Sequence, residues 1–258
     1  MPSPASLKTS ATTSGRAPFD ILAPAVQTTP VVFVSAHSGA EYDPAFVAAS
    51  RLDMLTLRRS EDSFVDELFS DAPAYGAPLL RAHFPRVFLD PNREPWELDP
   101  AMFEDELPPY VNTTSLRVAG GLGTIARVVS NGAEVYRTKL RFAEAERRVR
   151  AYYIPFHEAI QDLLASTVDR FGSALLIDCH SMPSVGGPMD RDPGHERADI
   201  VLGDRYGTSC AKAVIDTAEA ILSKAGYRVG RNDPYAGGFT TRNYGRPSAG
   251  VQIGRAHV

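Results

Sequence analysis

Leu175-Leu176-Ile177-Asp178-Cys179-His180-Ser181-Met182-Pro183-Ser184 is an apolar run that stops at Asp-Cys-His and then turns. Val31-Val32-Phe33-Val34-Ser35-Ala36-His37-Ser38-Gly39, near the other end of the chain, does the same. Short apolar runs bounded by turn residues read as buried strands, and each of these two carries a histidine to its C-terminal tip. An isolated histidine of this kind more commonly caps its strand by hydrogen bonding. A second one in an equivalent setting reverses that preference, because two imidazoles at one edge of an α/β sheet are what a metal site requires.

Around these strands the pattern alternates between strand and helix. A helical stretch is predicted around Arg58 to Ser70, a strand over Pro78 to His83, and a long irregular Pro/Glu-rich loop over Pro91 to Pro109, a kind of loop that is more often functional than idle. From Thr138 to Ser166 the apolar positions Leu140, Ala143, Val149, Tyr153, Phe156, Ile160 and Leu163 fall at helical spacing, with Pro155 placed to kink the helix. A strand at Asp199 to Leu202, a helix at Ser209 to Ala225 ended by Gly226, and a strand at Tyr227 to Gly230 follow. Such alternation predicts an α/β protein, a mostly parallel sheet with helices on both faces. Residues 1 to about 27 are rich in Ser, Thr, Ala and Pro and read as a mobile leader, so the single domain is expected to begin near Pro30.

Composition narrows the function classes. The 258 residues carry a net charge of −4, which supplies no broad positive field, so neither nucleic acid nor an anionic membrane is the expected partner. No apolar run approaches a membrane span, and the N-terminus lacks the apolar core of a signal peptide, which makes cytoplasmic residence the default. Nothing in the pattern fixes an oligomeric state. The two cysteines, Cys179 and Cys210, cannot build a four-cysteine zinc module, so a metal would be held by histidine and carboxylate.

The remaining chemistry groups around the two histidines. Asp178 lies two positions before His180, on the same face of the strand, and is placed to orient a ligand or a neighbouring loop. Cys179 points to the opposite face and reads as a small buried apolar residue. A hydrolytic zinc usually keeps three protein ligands, so a carboxylate should join the histidines; Glu41, Glu61, Asp62 and Asp66 are the candidates, the last two one helical turn apart. In Arg86-Val87-Phe88-Leu89-Asp90-Pro91-Asn92-Arg93, an arginine fork beside an amide donor suits a substrate carboxylate, while an Asp90–Arg93 ion pair would simply stabilise the loop. Gly120-Gly121-Leu122-Gly123 lacks the Lys-Ser or Lys-Thr of a phosphate loop.

Several blocks together resemble the N-formylglutamate amidohydrolases, also called N-formylglutamate deformylases. They are His37-Ser38-Gly39, Glu61 through Phe69, Asp90 through Pro95, Gly121 through Ile125, Tyr153 through His157, Asp178 through Ser184, Ala198 through Gly203 and Asn232 through Arg242. The resemblance implies a three-layer α/β/α fold with a mostly parallel mixed sheet, akin to the zinc carboxypeptidases and aspartoacylase. It implies hydrolysis of the formyl amide of N-formyl-L-glutamate to formate and glutamate, late in histidine breakdown, with Zn2+ or another divalent metal as cofactor. On that analogy His37 and His180 are ligands with Asp62 as the third, and the metal activates water and polarises the formyl oxygen. Arg93 with Asn92, aided by Arg86 and Arg242, would clamp the substrate carboxylates. His157 on the long helix either serves the site in proton transfer or packs against the sheet, and the resemblance favours the site. Two other readings are a related amidohydrolase for another N-acyl amino acid and a metal-binding homologue without turnover.

At its end the chain departs from the resemblance. After Gly250-Val251-Gln252 the family pattern runs into a strand carrying Gln-Ile-Glu and a last helix, whereas here the residues are Ile253-Gly254-Arg255-Ala256-His257-Val258. Those six correspond to one reading frame of a common sequencing adapter and read as a non-native tail on a domain spanning 28–252, so His257 is not counted as a ligand. The glutamate so lost is the natural candidate for the general base, so a longer natural protein could be an enzyme where this chain is inactive, and loss of an interior strand and its covering helix would leave a raw sheet edge.

Overall fold

The computed structural model describes residues 17–129, 132–188 and 190–258. Seven strands form one sheet: β1 (Phe19–Leu22), β2 (Val31–Ser35), β3 (Leu79–Ala82), β4 (Ala174–His180), β5 (Ile200–Gly203), β6 (Val229–Arg231) and β7 (Val251–His257). Their order is β1-β3-β2-β4-β7-β5-β6. The β3–β2–β4–β7 block and the β5–β6 pair are parallel, while β1 joins β3 and β5 joins β7 in antiparallel fashion. The helices are α1 (Pro44–Ala49), α2 (Met54–Arg58), α3 (Val65–Leu68), α4 (Leu116–Ala119), α5 (Phe142–Arg148), α6 (Ile154–Phe171), α7 (Lys212–Lys224) and α8 (Phe239–Tyr244).

Three layers follow from the alternation of side chains along β4. Leu176 is wholly buried in the large core with Phe156, Ile160 and Leu164 of α6, whereas its neighbour Leu175 packs with Ile200, Leu202 and Ile215 of α7. Adjacent strand residues face opposite sides of a sheet, so α6 and α7 cover opposite faces. The expected mostly parallel, doubly covered sheet is present.

Four expectations change in detail. The fold begins before Pro30: Phe19–Leu22 pairs with β3 and Phe19 is buried against Phe156, so part of the expected leader is sheet, while residues 1–16 lie outside the described residues. The helical stretch expected around Arg58 to Ser70 is largely not helix: α2 ends at Arg58 and only the short α3 follows, because Phe64 adopts a left-handed φ of 64° and the Asp62 amide bonds instead to the His37 carbonyl at 3.1 Å. Pro155, which has no N–H for the preceding turn, is accommodated by a π turn over Val149–Tyr153 in which the Ile154 N–H reaches Val149 O. Finally, the expected raw edge does not occur in the sheet: residues 251–257 pair with β4 along their length, since ladder hydrogen bonds are made by the backbone and Ile253 buries fully.

Candidate metal centre and active site

Topology brings the two histidines together. Strands β2 and β4 are parallel neighbours with Ser35 opposite Cys179, so His37 and His180, just beyond that pair, leave the sheet at the same edge. Their ring centroids are 4.7 Å apart and both are buried. The connector between α2 and α3 then inserts Asp62 between them. Its Oδ2 lies 2.7 Å from His180 Nδ1 and 3.3 Å from His37 Nδ1.

Of the four candidate carboxylates, Asp62 alone joins the histidines; the donor atoms of His37, Asp62 and His180 lie within 4.8 Å of one another, a buried group that could hold a metal ion. Glu61 instead accepts from Tyr42 and Arg58, and Asp66 lies 3.9 Å from Arg81. The predicted helical-turn pairing of Asp62 with Asp66 is absent because Asp62 lies in the connector before α3, whose first residue is Val65.

A second ring of carboxylates fixes the imidazoles. His37 Nε2 donates to Asp90 Oδ1 at 2.8 Å, which leaves the Nδ1 lone pair facing Asp62. His180 Nε2 is 3.0 Å from Asp178 Oδ1 and 3.4 Å from Asn92 Nδ2. Burial opposes the charge on Asp62, but the interactions with His180 and His37 outweigh it and hold the carboxyl well below the usual range. Burial is likewise outweighed at Asp90, by Arg93, His37 and Arg86, and at Asp178, by His180 and Arg255.

The donor set fits a divalent ion of the zinc type, two imidazoles and one carboxylate. Four buried side-chain atoms among the described residues lack hydrogen bonds, His37 Nδ1, Asp178 Oδ1, Arg255 Nε and His257 Nδ1, and the first two belong to the histidine–aspartate group and its carboxylate support. A cation on the Nδ1 atoms would satisfy the first directly. It would also move the His180 proton to Nε2, where Asp178 can accept it, which satisfies the second.

Asp90 is the residue that the sequence reading left as a loop ion pair. That pair exists, with Arg93 Nη2 3.6 Å and Arg86 Nη2 2.9 Å from Asp90 Oδ2, but the other oxygen of the same carboxylate holds His37. Its position two residues before Asn92-Arg93 was the available signal. Asn92 is committed internally: it donates toward Asp178 Oδ2 at 3.3 Å and accepts from the Thr240 amide at 2.9 Å. Gly238 makes this contact possible, since a Cβ there would fall 2.5 Å from Asn92 Oδ1. Gly39 serves a similar purpose by letting the turn after His37 approach the His83 and Phe84 backbone closely.

Arg93 is threaded through the site wall, donating to Leu122 O and Asn92 O at 2.9 Å each, so the Gly-rich segment set aside as a phosphate loop positions this arginine. Arg242 lies farther out, paired with Glu94. His157 has both ring nitrogens engaged away from the histidine–aspartate group. The Pro91 carbonyl can only accept, so Nε2 donates to it at 2.9 Å, and Nδ1 accepts from Tyr244 Oη at 2.6 Å. His257 stacks on His180 with centroids 5.2 Å apart and is outside the metal-competent group.

Fold and donor set define an α/β protein with a buried two-histidine, one-aspartate group that could hold a metal ion. The chain belongs to the N-formylglutamate amidohydrolase family, whose family model matches residues 29–254. It is 31% identical over 228 residues to the N-formylglutamate deformylase of Pseudomonas aeruginosa, covering 86% of this chain and 77% of that one. The N-formylglutamate deformylase of Pseudomonas putida is 26% identical over 72% of this chain and 64% of its own length. The crystal structure of N-formylglutamate amidohydrolase from Ralstonia eutropha JMP134 superposes with a TM-score of 0.85 at 34% identity, over 94% of this chain and 86% of that one. The gene product Atu2144 from Agrobacterium tumefaciens, at 20% identity and a TM-score of 0.65 over 93% of this chain and 84% of that one, shares the fold. No helix among the described residues is long and apolar enough to cross a membrane.

Proposed function

We propose that the protein hydrolyses the formyl amide of N-formyl-L-glutamate to formate and L-glutamate, in the cytoplasm and within histidine degradation, using zinc or a similar divalent ion. The observation that carries this reading is the buried convergence of His37, Asp62 and His180 in a chain of this family. His37 and His180 would hold the ion through Nδ1 with Asp62 as third ligand, and the ion would supply a polarised amide carbonyl and an activated water.

The chain's own residues do the rest. Asp90 and Asp178 fix the orientation and protonation of the two imidazoles, so the donor atoms are set before substrate arrives. Arg93 and Arg86, which flank Asp90, would place positive charge beside the reacting amide and offer guanidinium donors to the substrate's α-carboxylate. Asn92 joins this wall to Asp178 and to α8, so the arginines and the metal ligands keep one geometry. His157, joining Pro91 to Tyr244, holds the loop that bears Asn92 and Arg93 and acts as a support, not as a proton carrier. Arg242 would contact substrate from α8.

A formate assay tests the proposal. Protein incubated with N-formylglutamate should release formate, a chelator should abolish release, and added zinc should restore it. No release from metal-loaded protein, or release indifferent to chelation, would reject it.

A further inference from the structure

Segments joined to the metal-competent group through Asn92 form a cleft of about 570 Å³ walled by Trp96, Tyr110 and Phe239, with Glu94, Arg242 and Arg246 as its charged groups. It shares two elements with the site. The segment carrying Glu94 and Trp96 starts at Asn92, which touches His180, and α8, which carries Phe239 and Arg242, is tied to that same Asn92 by the Thr240 amide.

The protein fills part of this cleft with a carboxylate of its own. Glu94 Oε1 lies 2.5 Å from Arg242 Nη2, and Glu94 Oε2 accepts from Asn112 Nδ2 at 3.1 Å. A guanidinium and a carboxamide around one carboxylate are the groups that would read a ligand's carboxylate. The Glu94 backbone is pinned, its N–H donating to Glu97 Oε2 and its carbonyl accepting from the Thr124 hydroxyl. The side chains are freer, 37% exposed for Glu94 and 52% for Arg242, and an ion pair this open to water exchanges partners at little cost. Arg246 donates to the carbonyls of Arg242 and Gly245, and no carboxylate pairs with it among the described residues.

We propose that this cleft receives the side chain of the N-acyl amino acid substrate and that Glu94 is a specificity-determining residue, an internal counter-ion that the substrate's side-chain carboxylate must exchange with on Arg242. The inference rests on the amidohydrolase reading above and adds the residue that sets its side-chain preference. A neutral side chain lies against the aromatic walls without any exchange. An acidic one gains Arg242 and loses the Glu94 pair, so Glu94 narrows the preference for acidic substrates.

The test is Glu94→Gln, which keeps an oxygen acceptor for Asn112 and removes the charge. KM for N-formylglutamate should fall about three- to fivefold, while KM for N-formylmethionine, which has the same α-carboxylate and a neutral side chain, should not move. Calorimetric binding of glutarate, which needs no turnover, should tighten by the same factor. An equal shift for both substrates, no shift, or weaker glutarate binding would overturn the assignment. If the unsubstituted protein releases no formate yet E94Q tightens glutarate binding, the deformylase reading fails and the Glu94 assignment stands. Formate release with no selective effect of E94Q is the reverse case.

Discussion

His37 donates from Nε2 to Asp90 at 2.8 Å, and the other oxygen of that carboxylate receives Arg86 at 2.9 Å. One buried aspartate therefore orients a candidate metal ligand and anchors the positive wall of the site. Replacing Asp90 with Asn keeps the shape and removes the charge. Zinc affinity should fall about 10- to 100-fold, the usual cost of losing such a partner, as read by competition with a chromophoric chelator. Unchanged affinity would separate Asp90 from the centre.

Arg93, 3.6 Å from the same Asp90, is a proposed substrate contact. Arg93→Ala should lower kcat/KM for N-formylglutamate by about 100-fold or more while zinc content stays near that of the unsubstituted protein. Loss of metal from the variant would show instead that its bonds to Leu122 O and Asn92 O maintain the centre.

Gly238 lets α8 begin against Asn92. In Gly238→Ala the new methyl would fall 2.5 Å from Asn92 Oδ1, so the variant should lose about 1–3 kcal/mol in denaturant unfolding. Adding Asn92→Ser should recover part of that loss, a non-additivity that a double-mutant cycle measures directly. Full additivity would place the strain elsewhere.

His157 sets a pH dependence. Burial lowers its pKa from 6.5 to about 4, so between those values the unfolded chain binds a proton that the folded chain refuses. Stability from this group is complete above pH 6.5 and is lost as pH falls toward 4, by about 3 kcal/mol. Urea midpoints at pH 7 and pH 4 should show the unsubstituted protein losing that much more than His157→Gln. Parallel losses would contradict the account.

The two histidine-bearing strands were legible because strands buried on both faces read as unbroken apolar runs, and an imidazole at the end of such a run stands out. Strand β1 was not, since four residues among Pro and Thr show no period until β3 supplies a partner. Asp62 was one of four acceptable carboxylates, three of them in a stretch with helical spacing. Only the left-handed turn at Phe64 and the bond from the Asp62 amide to His37 decide among them, and both depend on tertiary packing. The long helix was readable from its apolar spacing, but the partners of His157 come from distant segments at Pro91 and Tyr244. Asp90 was visible as a charge near Arg93, while its contact with His37 spans 53 positions of sequence.

The central claim is that His37, Asp62 and His180 form one metal centre, and its most direct test is zinc content by elemental analysis. The protein should hold about one zinc per chain after dialysis against trace metal, and Asp62→Ala and His180→Ala should each hold almost none while keeping the far-UV spectrum of the parent. Full zinc content in folded protein lacking either side chain would contradict the account.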